Sequence, residues 1–274
     1  MSMFQNRRSD VNPEPQAQGA PQQRLWGKAD LHIHTDVGDG TMSIPELLDY
    51  VEHRTDLDVI AITDHDELRS SFQARDLATR RRQRIQVVTG MEVTTLEGHL
   101  LALFLESPIP SLRPLAETIE LVHRQGGVCV IPHPLSWVTH SAGELTLERL
   151  ALSGIEPAGL EVMNPTYAGQ VARQRVQRLN RYRYRWAETG GSDAHFLDFV
   201  GLAYTRFPGS TPEELRRSLL ERSTQAVLVD RARPGQIAVH KLVRQQFRAL
   251  VVLPFRLAWR QWLYLRNRPA PTEL

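Results

Sequence analysis

From residue 28 onward, short apolar runs alternate with stretches of helical period. The runs predict seven strands, at 28–34 (KADLHIH), 57–65 (LDVIAITDH), 85–93 (IQVVTGMEV), 99–106 (HLLALFLE), 127–133 (GVCVIPH), 158–164 (AGLEVMN) and 186–195 (WAETGGSDAH). The second is almost continuously apolar up to Ile62, the mark of a strand buried on both faces of a parallel sheet. Helices are predicted between them. The first opens on Pro45, with Ser43 or Ile44 just before it. Others follow over 71–83, 115–125, 144–152 and 169–181. A last helix over 211–221 has Ser210 or Thr211 as N-cap and Glu214 placed for a capping box. The link around Glu97–Gly98 is too short for a parallel crossover and predicts an antiparallel hairpin of the third and fourth strands. Repeated strand–helix alternation predicts an α/β barrel or a doubly wound domain. Phosphate loops of the GxGxxG or GxxxxGK[ST] type are absent.

Composition changes this picture only at the ends. The chain has 274 residues and one cysteine, Cys129, so a disulfide framework and a cysteine-built zinc site are excluded. Cys129 lies among apolar neighbours and is expected in the core. Residues 1–24 are rich in Gln, Pro and Asn and predict a disordered tail, with no apolar segment of a secretory signal. Residues 231–272 carry nine Lys/Arg and no Asp/Glu, whereas residues 1–230 carry 24 basic and 30 acidic residues (33 less 9, and 31 less Glu273). The expected division is a tail at 1–24, an α/β domain at 25–230 and a basic amphipathic segment at 231–274. In that segment Arg244 and Arg248, and again Arg256 and Arg260, share a helix face, and Pro254 should kink or divide the helix. Packing on the barrel, a homodimer contact, or an anionic membrane surface bound through residues 239–265 would each bury its apolar side. The cytoplasm is the expected compartment, with peripheral attachment to the inner membrane surface if the last of these holds.

The ten histidines are not scattered. His32 and His34 end the first strand, His65 the second and His133 the fifth. Glu92 ends the third, and Asp193 and His195 follow the seventh. His99 opens the fourth, which in an antiparallel strand is the same rim. In a barrel, the carboxyl ends of the parallel strands share one rim, where catalytic groups gather. Imidazoles and carboxylates crowded together repel or go unsatisfied as free side chains, and a divalent transition ion resolves both. His-x-His on a strand puts both rings on one face, and Asp39 in the loop VGDG brings one more carboxylate. Ligands on several strands suggest more than one metal, the arrangement that supports in-line displacement at phosphorus or hydrolysis by water. Asp64 should point away from His65 and support the ligands. Asn164 suits either a substrate contact or a turn before Pro165. His140 lies in the loop after His133, open to substrate. His53 and His123 sit late in helices and read as structural. Arg173, Arg175, Arg178, Arg181, Arg183 and Arg185, with Tyr182, Tyr184 and Trp186, read as a solvated helix face or a nucleic-acid groove.

DLHIHTDVGDG (30–40), ITDHD (62–66), GMEV (90–93), HLLALF (99–104), IPHP (131–134) and GGSDAH (190–195), in this order, resemble the successive motifs of the PHP (polymerase and histidinol phosphatase) superfamily. The resemblance runs from about residue 30 to 222. It implies a distorted seven-stranded (β/α)7 barrel holding two to three divalent ions of manganese, zinc or iron in a trinuclear centre. His32, His34, Glu92 and Asp193 would hold the first metal. Glu92 would bridge to a second, shared with His99 and His133, and Asp39, His65 and His195 would hold the third. Glu92, Asp193 and His195 are also the implied catalytic residues. The implied activity is phosphoester hydrolysis by a metal-bound hydroxide, on small phosphorylated metabolites, nucleotides or short oligonucleotides. A non-catalytic or polymerase-associated binding module and a histidinol-phosphate phosphatase are the alternatives, and the oligomeric state is left open.

Overall fold

The computed structural model describes residues 26–230 and 238–266. The tail expected at 1–24 lies outside the described residues. In chain order the strands are β1 (Trp26–Ile33), β2 (Val59–Ile62), β3 (Gln86–Thr94), β4 (His99–Leu103), β5 (Val128–Ile131), β6 (Gly159–Met163), β7 (Ala187–Gly190), β8 (Ala203–Pro208) and β9 (Gln225–Leu228). They form one sheet in the order β7-β6-β5-β4-β3-β2-β1-β8-β9. The helices of the barrel are α1 (Ile44–Arg54), α2 (Arg69–Arg81), α3 (Leu115–Arg124), α4 (Glu144–Ser153), α5 (Tyr167–Gln170), α6 (Arg173–Leu179) and α7 (Pro212–Leu220). Ser43 caps α1 and Thr211 caps α7, each in a reciprocal capping box with Glu46 and Glu214.

The seven expected strands are present, and β4 is antiparallel to both β3 and β5. Two strands were not expected, so among the described residues the sheet has nine strands and not seven. β8 and β9 are antiparallel additions, and β8 alternates inward Ala203, Thr205 and Phe207 with more exposed Tyr204 and Arg206. That is the pattern of a half-solvated strand, unlike the continuous apolar runs of β2 and β5. The helix expected over 169–181 is broken into α5, α6 and a π-helical turn at Asn180–Tyr184. Its arginines reach acids on α4, Arg183 with Glu148 at 2.6 Å and Arg175 with Glu144, while Tyr184 and Trp186 stack in the core at 4.9 Å. This matches a solvated basic face above a buried aromatic pair.

Ala29, Leu31, Val59, Ala61, Val88, Leu101, Leu103, Val130 and Phe207 fill the barrel interior, with further apolar layers between sheet and helices. Closure is made in two parts. The first half of β1 pairs with β8, and its end bridges to the chain after β7 through Ile33 and Ala194. Thr205 Oγ1 accepts from Gly190 N at 3.1 Å and donates to Gly190 O at 3.0 Å, tying β8 to β7. A side chain at Gly190 would run into the Tyr204 backbone, so only glycine allows this approach.

Beyond the barrel, α8 (Val239–Phe247), a π-helical turn at Arg248–Val252 and α9 (Leu253–Arg266) form one arm. The wide turn lies just before Pro254, which has no N–H to give. The arm meets the rim: Arg248 donates to the Asp36 carbonyl at 2.5 Å and Arg256 to the Val37 carbonyl at 2.9 Å. The arm therefore packs on the barrel through polar side chains, and the expected burial of its apolar side against the barrel is not found.

Two consequences are measurable. Phe207→Ala removes a fully buried ring from the interior and should destabilise the protein by about 3–5 kcal/mol in urea unfolding; a loss under about 1 kcal/mol would show that β8 is peripheral. Cys129 is fully buried and burial pushes its thiol up, so iodoacetamide should leave it unmodified until the chain unfolds.

Candidate metal centre

The nine candidate ligands converge at one mouth of the barrel, and the backbone is bent to bring them there. β1 carries one extra residue against β2 between Asp30 and Ile33. Ala29 and Leu31 fill the interior below; past this bulge, His32 and His34 turn inward instead. His65 forms an isolated bridge with Glu92 on β3. His99 starts β4, whose reversed direction puts it on the same rim. His133 and Asp193 both take left-handed backbone conformations, with φ of 31° and 50°. Such conformations are costly for non-glycine residues and persist where surrounding contacts fix them.

Glu92 is the hub. Its Oε2 lies 3.3 Å from His32 Nε2, His34 Nε2 and His65 Nδ1 alike. Its Oε1 lies 2.9 Å from His99 Nδ1 and 3.2 Å from His133 Nε2. Asp193 Oδ1 is 3.5 Å from His32 Nε2 and 3.4 Å from His34 Nε2, and Asp39 Oδ2 is 3.1 Å from His195 Nε2. Four overlapping sets of ligand atoms result, each within 4.8 Å: His34, Asp39, His65 and His195; His32, His133 and Asp193; His32, His34 and Glu92; and His65, Glu92 and His99. All nine residues take part. His34 belongs to two sets, joining the groups expected for the first and third metals.

Three imidazoles are oriented from behind. His32 Nδ1 donates to Glu161 at 3.1 Å, His133 Nδ1 to Ser141 Oγ at 3.0 Å, and His195 Nδ1 to the Asp193 carbonyl at 3.0 Å. The Ser141 hydroxyl proton is already given to the His133 carbonyl, at 2.9 Å, which makes the imidazole the donor. Each Nε2 then faces a carboxylate oxygen. A lone pair aimed at a carboxylate requires a cation between them, either a proton or a metal. Both ring nitrogens of His34, Nδ1 of His99 and Oδ1 of Asp39 are buried and make no well-aligned hydrogen bond. Divalent ions at the four sets would satisfy these atoms, and nitrogen with carboxylate is the donor chemistry of zinc, manganese and iron.

The electrostatics agree. Burial pushes the His34 imidazole down, but hydrogen bonds to Asp193 and Glu92 and the charge of Asp39 outweigh it and raise it to about 10. Burial pulls His32 the same way and is overcome by Asp193, Glu92 and Glu161, leaving it well above the ordinary histidine range. Burial pushes Glu92 up, yet the surrounding imidazoles hold it well below the carboxylate range. The pocket selects positive charge at these nitrogens.

Glu161 was not foreseen in this role. It is buried at the centre of β6, accepts from the His133 amide at 2.8 Å and from Asn164 Nδ2 at 2.8 Å, and fixes His32. A glutamate inside the apolar run AGLEVMN was the signal. Gly191 leaves room for it, since a side chain there would collide with Glu161 Oε1. Asn164 also reaches Asp193 Oδ2 at 3.4 Å and holds Thr166, combining a turn with support of the ligands. Asp64 accepts from Thr35 N and Oγ1 at 2.6 Å each, as a residue behind the ligands should. His140 donates to the Thr95 carbonyl at 2.8 Å beside the His99 ring, while His53, His123 and His240 are exposed and join none of the sets.

Residues 30–189 match the PHP domain family and residues 177–224 the PHP-associated family. An uncharacterised protein of Methanocaldococcus jannaschii is 35% identical over 139 residues, covering 47% of this chain and 80% of the relative. Among solved structures, a two-domain protein of Bacteroides vulgatus containing a predicted PHP-like metal-dependent phosphoesterase superposes with a TM-score of 0.60 at 22% identity, covering 89% of this chain and 74% of that one. A lesion-specific endonuclease of Pyrococcus furiosus superposes with a TM-score of 0.52 at 15% identity, over 74% of this chain and 58% of the other. At such identities these likenesses concern the fold, but the family match spans more than half of the sequence and includes the motifs from DLHIHTDVGDG to IPHP: the chain belongs to the PHP domain family.

Proposed function

We propose that this protein is a metal-dependent phosphoesterase that hydrolyses small phosphate esters with two to three divalent ions held at the barrel mouth. The observation that carries the reading is the Glu92 carboxylate, 1% exposed, within 3.3 Å of five imidazoles. His32, His34, Glu92 and Asp193 would hold one ion, Glu92, His99 and His133 a second, and Asp39, His65 and His195 a third. Bound there, divalent ions would acidify water to supply a nucleophile at neutral pH and neutralise charge at phosphoryl oxygens. The protein's own part is to orient donors and exclude water from the inner side. His32 and His34 are fully buried, whereas the side chains of His195, His65 and Asp193 are 18%, 17% and 12% exposed. The last three therefore face the incoming ester.

Small substrates are favoured over long nucleic acid by the arm. Gln245 approaches Asp39 Oδ2 at 3.4 Å, and Leu257 and Gln261 wall a cavity of about 470 Å³ whose other side begins at Asp66, next to His65. Phe72, Ile109 and Leu257 give that cavity apolar sides suited to the organic part of a small ester.

Elemental analysis after chelator-free purification should find two to three transition-metal ions per chain, and chelation should abolish hydrolysis in a screen of sugar phosphates, nucleotides and short oligonucleotides supplied with manganese; protein free of metal yet active would overturn the reading. His34→Ala and Asp193→Ala should each reduce turnover by at least about a hundredfold together with metal content, and either variant at full turnover with full metal would refute the ligand assignment. Glu161→Gln keeps the shape but weakens the hold on His32, and should lower metal affinity by about 10–100-fold.

A further inference from the structure

The arm packs with the wrong side inward for a helix of a water-soluble domain. Such helices bury their apolar stripe and expose their polar face. Here Gln245 is the buried residue of α8, and Arg248 and Arg256 make the contacts to the rim loop. The apolar side chains point out: Phe255 is 77% exposed, Leu250 72% and Trp259 57%, with Val243, Phe247 and Trp262 beside them.

The π-helical turn makes this face continuous. An α-helix advances about 100° per residue. Carried straight through, it would place Phe255, Trp259 and Trp262, each twelve residues on, about 120° away from Val243, Phe247 and Leu250. The extra residue of the wide turn at Arg248–Val252 takes up about 100° and so removes most of that offset. Both halves then present one stripe, and Trp259 and Trp262 stack at 5.0 Å within it. Arg244 and Arg256 stand in equivalent settings, each one residue after an apolar position (Val243, Phe255) and three before an aromatic one (Phe247, Trp259). Arg256 is held at the Val37 carbonyl, and Arg244 borders the stripe, with Lys241 beyond it. Among the described residues Arg244 forms no close ion pair and Lys241 acts only at longer range on Glu46, and residues 231–272 contain no acid to oppose them.

We propose that the outer face of the arm docks on an anionic lipid surface, lying in the interface with its Phe and Trp side chains among the acyl chains and Lys241 and Arg244 at the headgroups. Tryptophan and phenylalanine beside unpaired cations are the chemistry of an interfacial helix. No helix of the described residues is long and apolar enough to cross a bilayer, so the arm lies on the surface and does not span it. A second copy of this chain would cover the stripe equally well by area, but a two-fold contact would bring the Arg244 borders of two arms together, and residues 231–272 offer no acid to meet them.

The test is co-sedimentation of the full chain with phosphatidylcholine vesicles, with and without phosphatidylglycerol. Binding should require the anionic lipid and weaken about a hundredfold when salt is raised to about 1 M, where the screening length is about 3 Å. Phe255→Ser with Trp259→Ser and Trp262→Ser should abolish binding while metal content and circular dichroism are kept. Lys241→Glu with Arg244→Glu should reduce it through charge alone and serves if the first variant misfolds. Indifference of the wild-type protein to anionic vesicles at low salt would overturn the proposal, as would undiminished binding by both variants. A dimer in analytical ultracentrifugation that the serine variant dissociates, without vesicle binding, would assign the face to a second copy instead.

Discussion

A carboxylate buried among imidazoles governs the mouth of this barrel. Removing Glu92 from water is costly unless opposite charge surrounds it, and the same holds for Asp39 and Asp193 a few ångströms away. Five imidazole nitrogens within 3.3 Å of one carboxylate supply that environment only when cations occupy the space between. Local features that are hard to explain separately follow from it. The bulge in β1 turns two successive histidines of the His-x-His pair inward above an apolar layer. His133 and Asp193 accept left-handed backbone because their side chains are needed there. Glu161, itself buried, balances the far nitrogen of His32 and the His133 amide at once.

The reversed β4 serves the same constraint. A strand parallel to its neighbours would begin at the opposite end of the barrel and take His99 away from Glu92. Running β4 antiparallel between β3 and β5 places its first residue where other strands place their last. Reversal breaks the usual strand–helix alternation, and the barrel closes less regularly for it. β8 enters from the other direction and joins β1 to β7, partly by side-chain hydrogen bonds of Thr205.

Much of this was legible because the site chemistry sits at strand ends, where a run of apolar residues stops at a histidine or an acid. The short Glu97–Gly98 link gave away the hairpin, and Ser43 and Thr211 announced their helices. What stayed hidden lacked such punctuation. β8 is half polar, and its partner is far away in sequence. α5 and α6 read as one helix because periodicity does not register a break at Val171–Ala172. Glu161 stood in plain view as the one charge within a buried strand, yet a residue that touches ligands from behind follows no spacing rule. The strand expected to run to residue 195 ends at Gly190, since the chain then turns away from β6, delivers Asp193 in left-handed backbone and bridges to β1 at Ala194.

Asp39 shows why the arm matters to the barrel. It lies six residues beyond the end of β1, in a turn that no strand stiffens. A ligand is useful only if its loop is held, and this one is held from both sides. From below, Thr35 is fixed by Asp64. From above, Arg248 and Arg256 grip the carbonyls of Asp36 and Val37, and Gln245 reaches Asp39 itself. Those three arm residues lie on the face turned away from the apolar stripe. The division of labour along one helix is therefore physical: its polar side steadies a carboxylate at the mouth of the barrel, and this leaves the apolar side with no surface of the barrel to cover it.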